Sequence, residues 1–140
     1  MSTNESREPT VGELFDLTGK RALVTGASGY LGGALARALA EAGATVVASS
    51  RQRSRAEAVA ASLPSSGAVH QAVELDHMDE KSIESGFAEA IDQVGGLEIL
   101  VNNGHEALAA DWTNVTGDQF TQHLGNATGY FLLARRLRDH

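Results

Sequence analysis

Apolar and polar positions along this chain alternate between two periods. Ala22-Leu23-Val24 is apolar on successive residues, as in a parallel strand covered on both faces, and Leu31, Leu35, Ala38, Leu39 and Ala42 then recur at helical spacing. Gly43 ends that helix as a C-cap should, and Ala44-Thr45-Val46-Val47-Ala48-Ser49-Ser50 reads as a second strand. Residues 54–63 follow as a helix, Pro64-Ser65-Ser66-Gly67 as a turn and residues 68–75 as a third strand. Residues 80–94 carry one apolar stripe, Ile83, Phe87, Ala90, Ile91 and Val94, which Gly95-Gly96 terminates. Residues 97–104 form a fourth strand, and a loop follows with Trp112 as its packing anchor. Thr116 and Gln119 fit a capping box for a last helix striped by Phe120, Leu124, Ala127, Phe131 and Ala134. Strand and helix taking turns predicts an α/β fold, a doubly wound parallel sheet with helices on both faces.

Composition narrows the partners. Of 140 residues 42% are hydrophobic and 21% charged, which suits one soluble globular core. The formal charge of −7, with 18 acidic against 11 basic residues and no basic stripe or tail, argues against nucleic acid and against an anionic membrane. The absence of cysteine excludes disulfides, thiol catalysis and cysteine metal sites. Residues 1–13 are polar around Pro9 and lack the apolar core of a secretory signal, so they are expected to be a flexible leader. No apolar run approaches the ~18 residues of a membrane span, and the expected location is cytoplasmic.

Candidate chemistry sits where the period changes. Thr25-Gly26-Ala27-Ser28-Gly29-Tyr30-Leu31-Gly32 lies between a strand and a helix start, where unpaired backbone N–H groups and the positive end of the helix dipole attract anions. Gly26 permits the turn out of the strand, Gly29 a close approach of backbone to a pyrophosphate, and Gly32 tight packing of helix on strand. The spacing is T-G-x-x-G-x-x-G rather than G-x-G-x-x-G, so an ordinary glycine-rich turn stays open beside a nucleotide loop. At the end of the second strand, where an acid would select an unphosphorylated ribose, this chain has Ser50 followed by Arg51, Arg53 and Arg55, chemistry suited to a 2′-phosphate. Arg53 and Arg55 can also be a solvated helix start. The scattered histidines, His105 among them, show no metal-ligand spacing.

With these motifs in order, residues 17–140 resemble the short-chain dehydrogenase/reductase family, in its N-terminal coenzyme-binding half. Phe15-Asp16-Leu17-Thr18-Gly19-Lys20-Arg21-Ala22-Leu23-Val24-Thr25-Gly26 is similar to the opening of compact members acting on sugar acids, polyols or 3-oxoacyl groups. Tyr30 stands where compact members carry glycine, and the loop spacing is that of the extended branch. The resemblance implies a Rossmann-type sheet in order 3-2-1-4, with the fourth strand at an edge. It implies that Gly26, Ser28, Gly29, Tyr30, Leu31 and Gly32 hold the pyrophosphate side of a nicotinamide dinucleotide and Arg51 the 2′-phosphate, so NADP is expected ahead of NAD. Leu75-Asp76-His77 matches the family's adenine contact, although Asp76 or Asp79 can instead cap the next helix, with Asp79 the expected cap. Asn102-Asn103 resembles the start of the N-N-A-G signature, implying that Asn103 lies beside the coenzyme; Gly104-His105 replaces its Ala-Gly. Asn126-Ala127-Thr128-Gly129 resembles the N-x-x-G segment, in which the asparagine supports the proton relay.

Family members reduce a carbonyl with a serine, a tyrosine and a lysine four residues after the tyrosine. Lysines stand here only at 20 and 81, and Tyr30 and Tyr130 are followed four residues later by Ala34 and Ala134. The expectation is therefore a truncated chain, residues 14–140 being the N-terminal part of a Rossmann domain, that binds coenzyme but does not turn over a small carbonyl or alcohol substrate. Three classes remain open at this level: part of a hydride-transfer oxidoreductase, a non-catalytic dinucleotide-binding or sensing module, and a self-associating structural remnant. The unpaired edge strand and the exposed stripe of the last helix predict a homo-oligomer.

Overall fold

The computed structural model describes residues 7–65, 67–107 and 111–140, with Trp112 described in its backbone alone. The first six residues of the expected leader, Ser66 of the expected turn and the expected packing of Trp112 lie outside the described residues. Among those described, the order is α1 (Val11–Leu14), β1 (Arg21–Val24), α2 (Tyr30–Glu41), β2 (Thr45–Ser50), α3 (Arg53–Ser62), β3 (Gln71–Glu74), α4 (Glu80–Val94), β4 (Ile99–Val101), a 3-10 turn (Trp112–Asn114) and α5 (Gly117–Asp139). The end of the expected leader carries one capped helical turn: Thr10 accepts the backbone N–H of Glu13 while the Glu13 carboxylate accepts that of Thr10, closing a capping box on α1.

All strand pairs are parallel and the sheet order is β3-β2-β1-β4, a Rossmann-type arrangement. Strand alternation sends successive residues to opposite faces. Leu23, Val47 and Val73 face α4 and α5, joining Ile83, Phe87, Ala90 and Leu133, whereas Val24, Val46 and Ala48 face α2 and α3, joining Ala36, Ala40 and Leu63. The central strands β1 and β2 are thus buried on both sides, which is why Ala22-Leu23-Val24 and Val46-Val47-Ala48 read as continuous apolar runs, while β4 at the edge is half-buried. The third and fourth strands are shorter than expected, at four and three residues, because their flanks turn into loops at the sheet ends.

The helix faces differ from the apolar stripe in one instructive place. On α2 the buried positions are Gly32, Ala36 and Ala40, while Leu31 is 62% exposed and Leu35 and Leu39 are half-buried. The axis comes so close to the sheet that small residues occupy the contact; a Cβ on Gly32 would stand 2.2 Å from the Gly26 carbonyl oxygen. Leu35 and Leu39 flank this seam and, with Leu14, Phe15 and Val101, line an apolar depression of about 290 Å³. On α4 the expected stripe is the buried one, Ile83, Phe87 and Ala90, capped by the Asp79 carboxylate accepting from the N–H groups of Lys81 and Ser82. No helix among the described residues is long and apolar enough to cross a membrane.

One ion pair fastens the amino ends of β1 and β4. The Arg21 guanidinium donates to Glu98 through Nε at 3.1 Å and also through Nη2, the Arg21 backbone N–H donates to the same carboxylate at 2.8 Å, and the Glu98 N–H returns a bond to the Arg21 carbonyl at 3.0 Å. The guanidinium contacts, with the backbone N–H, pull the Glu98 carboxyl down to about 2 against a smaller opposing effect of burial. A carboxyl whose folded pKa is depressed contributes stability that is present above its unfolded value near 4.5 and is lost as pH falls toward about 2. Glu98→Gln is therefore expected to lower stability at neutral pH and to flatten the loss between those two values, read by urea unfolding across pH; an unchanged pH profile contradicts the assignment.

Candidate functional site

The site lies at the carboxyl ends of β1 and β4, the two strands between which the winding direction reverses, where open α/β sheets form a crevice. The crevice is a cleft of about 650 Å³ whose floor is the glycine loop after β1 and whose walls come from the ends of β2, β3 and β4.

Thr25 ties the floor to the wall. It is 1% exposed, and its Oγ1 accepts the N–H groups of Asn103 at 3.0 Å and Gly104 at 2.8 Å while donating to the Val101 carbonyl at 3.2 Å, which uses the full capacity of a hydroxyl. Asn103 answers with its side chain, Nδ2 donating to the carbonyls of Thr25 at 3.1 Å and Gly26 at 3.3 Å. Gly26 turns with φ +62°, and a Cβ there would meet Gly104 Cα at 2.8 Å, so both the turn and the close contact demand glycine. Gly29, the N-cap of α2, has open space toward the cleft, its nearest neighbour to an added Cβ being the Gly26 carbonyl at 3.4 Å. The turn and the packing expected of Gly26 and Gly32 follow from these distances, and Gly29 leaves room on its cleft side.

Helix ends distinguish this cleft from the rest of the surface. Thr10, Asp79 and Thr116 cap α1, α4 and α5 with side-chain oxygens, whereas α2 and α3 have no side-chain cap. Both uncapped N-termini border the cleft, through Gly29, Tyr30, Leu31 and Gly32 on one side and Arg51, Gln52 and Arg55 on the other. The first N–H groups and positive dipole end of α2 make a cradle for an anion, whereas the first N–H of α3, that of Arg53, is taken by the Glu74 carboxylate at 3.3 Å. Tyr30 is 98% exposed at the rim, so packing does not account for it. Ser28 and Ser50 share a hydrogen bond of 3.0 Å across the floor.

The arginines following β2 part company. Arg51 and Arg55 line the cleft, while Arg53 turns away to a two-point pair with Glu89 of α4, at 2.8 and 2.7 Å, which raises its pKa. Arg51 is itself paired: its Nη1 donates to Glu106 at 2.8 Å. Glu106 follows β4 and lay beyond sequence reasoning, since 55 residues separate the partners and no local pattern marks them. Thr25 was readable only as the residue before the first glycine.

The remaining expected residues sit around a buried knot. His77, 7% exposed, donates through Nε2 to Asn126 Oδ1 at 2.7 Å and stacks on Tyr130, whose hydroxyl donates to the Gly104 carbonyl at 2.7 Å. Asn126 Oδ1 also accepts the Glu106 N–H at 2.8 Å, and its Nδ2 donates to the carbonyls of Glu106 and His123 at 3.0 and 2.9 Å. All four polar positions of this amide are thus engaged within the chain. Asp76 accepts the Met78 N–H at 2.9 Å in a tight turn beside the cleft, with Leu75 and His77 forming the wall itself. Exposed His105 packs edge-on to His123 at 5.2 Å, and the described residues contain no cluster able to hold a metal. Ser49 Oγ and Asn102 Oδ1 are buried without a hydrogen-bond partner, both at the carboxyl ends of strands beside the cleft.

A parallel sheet reversing over a glycine loop, with an uncapped helix facing the crevice, defines a Rossmann-type dinucleotide-binding architecture. Residues 20–140 match the short chain dehydrogenase family, and the chain belongs to it. D-threitol dehydrogenase of Mycolicibacterium smegmatis is 32% identical over 132 residues, 94% of this chain and 51% of that protein. The crystal structure of a gluconate 5-dehydrogenase from Burkholderia cenocepacia, in complex with NADP and tartrate, superposes with a TM-score of 0.82 at 30% identity, covering 94% of this chain and 52% of that one. The 3-ketoacyl-(acyl-carrier-protein) reductase of Brucella melitensis complexed with NADH gives 0.77 at 32% identity, over 89% and 50% of the two chains. The chain spans about half the length of these relatives.

Thr25→Val keeps the shape of the side chain and removes the hydroxyl, leaving the Gly104 N–H without its acceptor, while the Asn103 N–H and the Val101 carbonyl still meet at 3.0 Å. It is expected to cost about 1–3 kcal/mol for the buried group left unpaired, seen in urea unfolding, and to raise amide hydrogen exchange at Gly104. Wild-type protection of that amide in the variant would refute the tie.

Proposed function

We propose that this chain binds a nicotinamide dinucleotide as the coenzyme-binding part of an oxidoreductase that moves a hydride between the nicotinamide and a small carbonyl or alcohol substrate. The single observation that carries the reading is the uncapped N-terminus of α2 opening through Gly29 onto the cleft at the strand reversal, in a chain of this family. The backbone of residues 29–32 would hold the pyrophosphate, with Ser28 and Ser50 at the floor. Arg51 and Arg55 would hold a 2′-phosphate, Asp76 and His77 would flank the adenine, and Asn103 and Gly104 would lie along the nicotinamide side. The bound coenzyme supplies the hydride; these residues bind and orient it. Asn126 supports the wall by gripping Glu106 and His77 rather than by touching substrate. The 140 residues hold no Tyr-x-x-x-Lys, so the function assigned to them is coenzyme binding, and substrate turnover by this chain alone is not expected.

Thermal unfolding with NADP, NADPH, NAD and NADH tests this. A ligand of the folded state at a hundredfold its Kd stabilises by about 2.7 kcal/mol, so a rise with concentration is expected, larger for the phosphorylated pair. Arg51→Asp is expected to weaken the phosphorylated coenzymes about ten- to a hundredfold and to reverse the preference, since a charged hydrogen bond contributes about 1.5–3 kcal/mol. No rise with any of the four leaves the glycine loop a structural turn, and equal affinity of the wild-type chain for both forms removes the 2′-phosphate assignment.

The second element of the proposal is self-association. Phe120, Leu124 and Phe131 are 53%, 51% and 62% exposed on one face of α5, and β4 ends the sheet with a half-buried apolar edge. Sedimentation velocity at increasing concentration is expected to show oligomers that Leu124→Glu with Phe131→Glu dissociates. A wild-type chain that stays monomeric throughout contradicts it.

A further inference from the structure

The Arg51–Glu106 pair crosses the cleft. Arg51 leaves the end of β2 and Glu106 follows β4, and the sheet order places β1 between those strands, so the 2.8 Å contact spans the carboxyl end of β1 and the glycine loop below it. Glu106 is anchored through its backbone. Its N–H and carbonyl are both gripped by the buried side chain of Asn126, at 2.8 and 3.0 Å, and Asn126 is fixed in turn by His77. The clamp fixes the backbone from which the Glu106 carboxylate reaches Arg51, the cation that a phosphorylated ribose would need, in the lining of the cleft.

We infer that Glu106 is a coenzyme-selectivity residue, a counter-ion that competes with a 2′-phosphate for Arg51 and so restrains the preference for the phosphorylated coenzyme. This rests on the coenzyme reading above and adds to it a residue acting against Arg51. Glu106 holds the guanidinium through Nη1 alone, and a phosphate that takes two N–H groups including that one must displace the carboxylate. With Arg51 63% and Glu106 36% exposed at the side chain, the competing pair is weak, so the restraint is a matter of a few-fold and not an exclusion. A ligand ending in an unphosphorylated ribose does not need the Arg51 charge for its ribose, so it responds less to the exchange.

The experiment is calorimetric titration of the 140-residue chain with 2′,5′-ADP and with 5′-AMP, which differ only in the 2′-phosphate and need no nicotinamide pocket. Glu106→Gln and Glu106→Ala are both expected to tighten 2′,5′-ADP by about two- to tenfold, to change 5′-AMP by less than about twofold, and to lose most of their gain in high salt. In an Arg51→Ala background the gain is expected to vanish, because the competition has lost its object. Unchanged or weaker 2′,5′-ADP binding in both Glu106 variants, or a gain that persists without Arg51, overturns the inference while 5′-AMP binding leaves the coenzyme reading standing. Failure of every form to bind either nucleotide overturns the coenzyme reading and this inference with it.

Discussion

A single hydroxyl joins the two strands on which the cleft depends. Thr25 Oγ1 bonds to the chain on the far side of the strand reversal three times, to the N–H groups of Asn103 and Gly104 and to the Val101 carbonyl, so the glycine loop after β1 and the turn after β4 are set as one unit. Gly104 is buried, so its N–H has no water to fall back on without that hydroxyl, whereas the Asn103 N–H and the Val101 carbonyl also meet each other at 3.0 Å. The tight contacts nearby follow from this tie: Gly26 lies against Gly104, and Gly32 against Asn103, because backbones held this close leave no room for Cβ atoms. The open start of α2 faces a cleft because Thr25 keeps its opposite wall in place.

Around that tie the polar groups divide between support and function. His77, Asn126 and Tyr130 form a buried network joining the turn after β3, the chain after β4 and α5. The network satisfies its members within the chain, which makes it rigid and leaves it little chemistry of its own. The cleft rim is the reverse: two helix starts without side-chain caps, Tyr30 in solvent, and Arg51 held by one exposed carboxylate. Bonds between exposed groups exchange with a ligand at small cost. The anion cradle is thus built on a stiff support with exchangeable contacts at its edge.

Much of the architecture was legible because it rests on local signals. Apolar runs bounded by glycine marked β1, β2 and β4; Thr116 with Gln119, and Asp79, marked helix starts that the structure reproduces atom for atom. The stripe reading worked on α4, where Ile83, Phe87 and Ala90 are the buried face. It misplaced the buried face of α2, because hydrophobicity weights leucine while a helix lying close on a sheet selects Gly32, Ala36 and Ala40 for size. The outward stripe of α5 has the same origin: the contact with the turn after β3 is made through Gly129, where a Cβ would reach 2.0 Å from the His77 carbonyl oxygen.

The sequence by itself determined the order of strands and helices, the family resemblance and the position of the glycine loop, since each depends on residues within a few positions of one another. Tertiary structure alone decided how the polar side chains were spent. Arg51, Arg53 and Arg55 are alternate residues in the chain, yet one pairs with Glu106, one with Glu89, and one lines the cleft. Asn126 and Asn103 likewise acquire their work from carbonyls and N–H groups 20 to 78 residues away. A carboxylate or amide carries no mark of its partner; only the winding of the sheet, which returns β4 to the side of β1, brings the two within bonding distance.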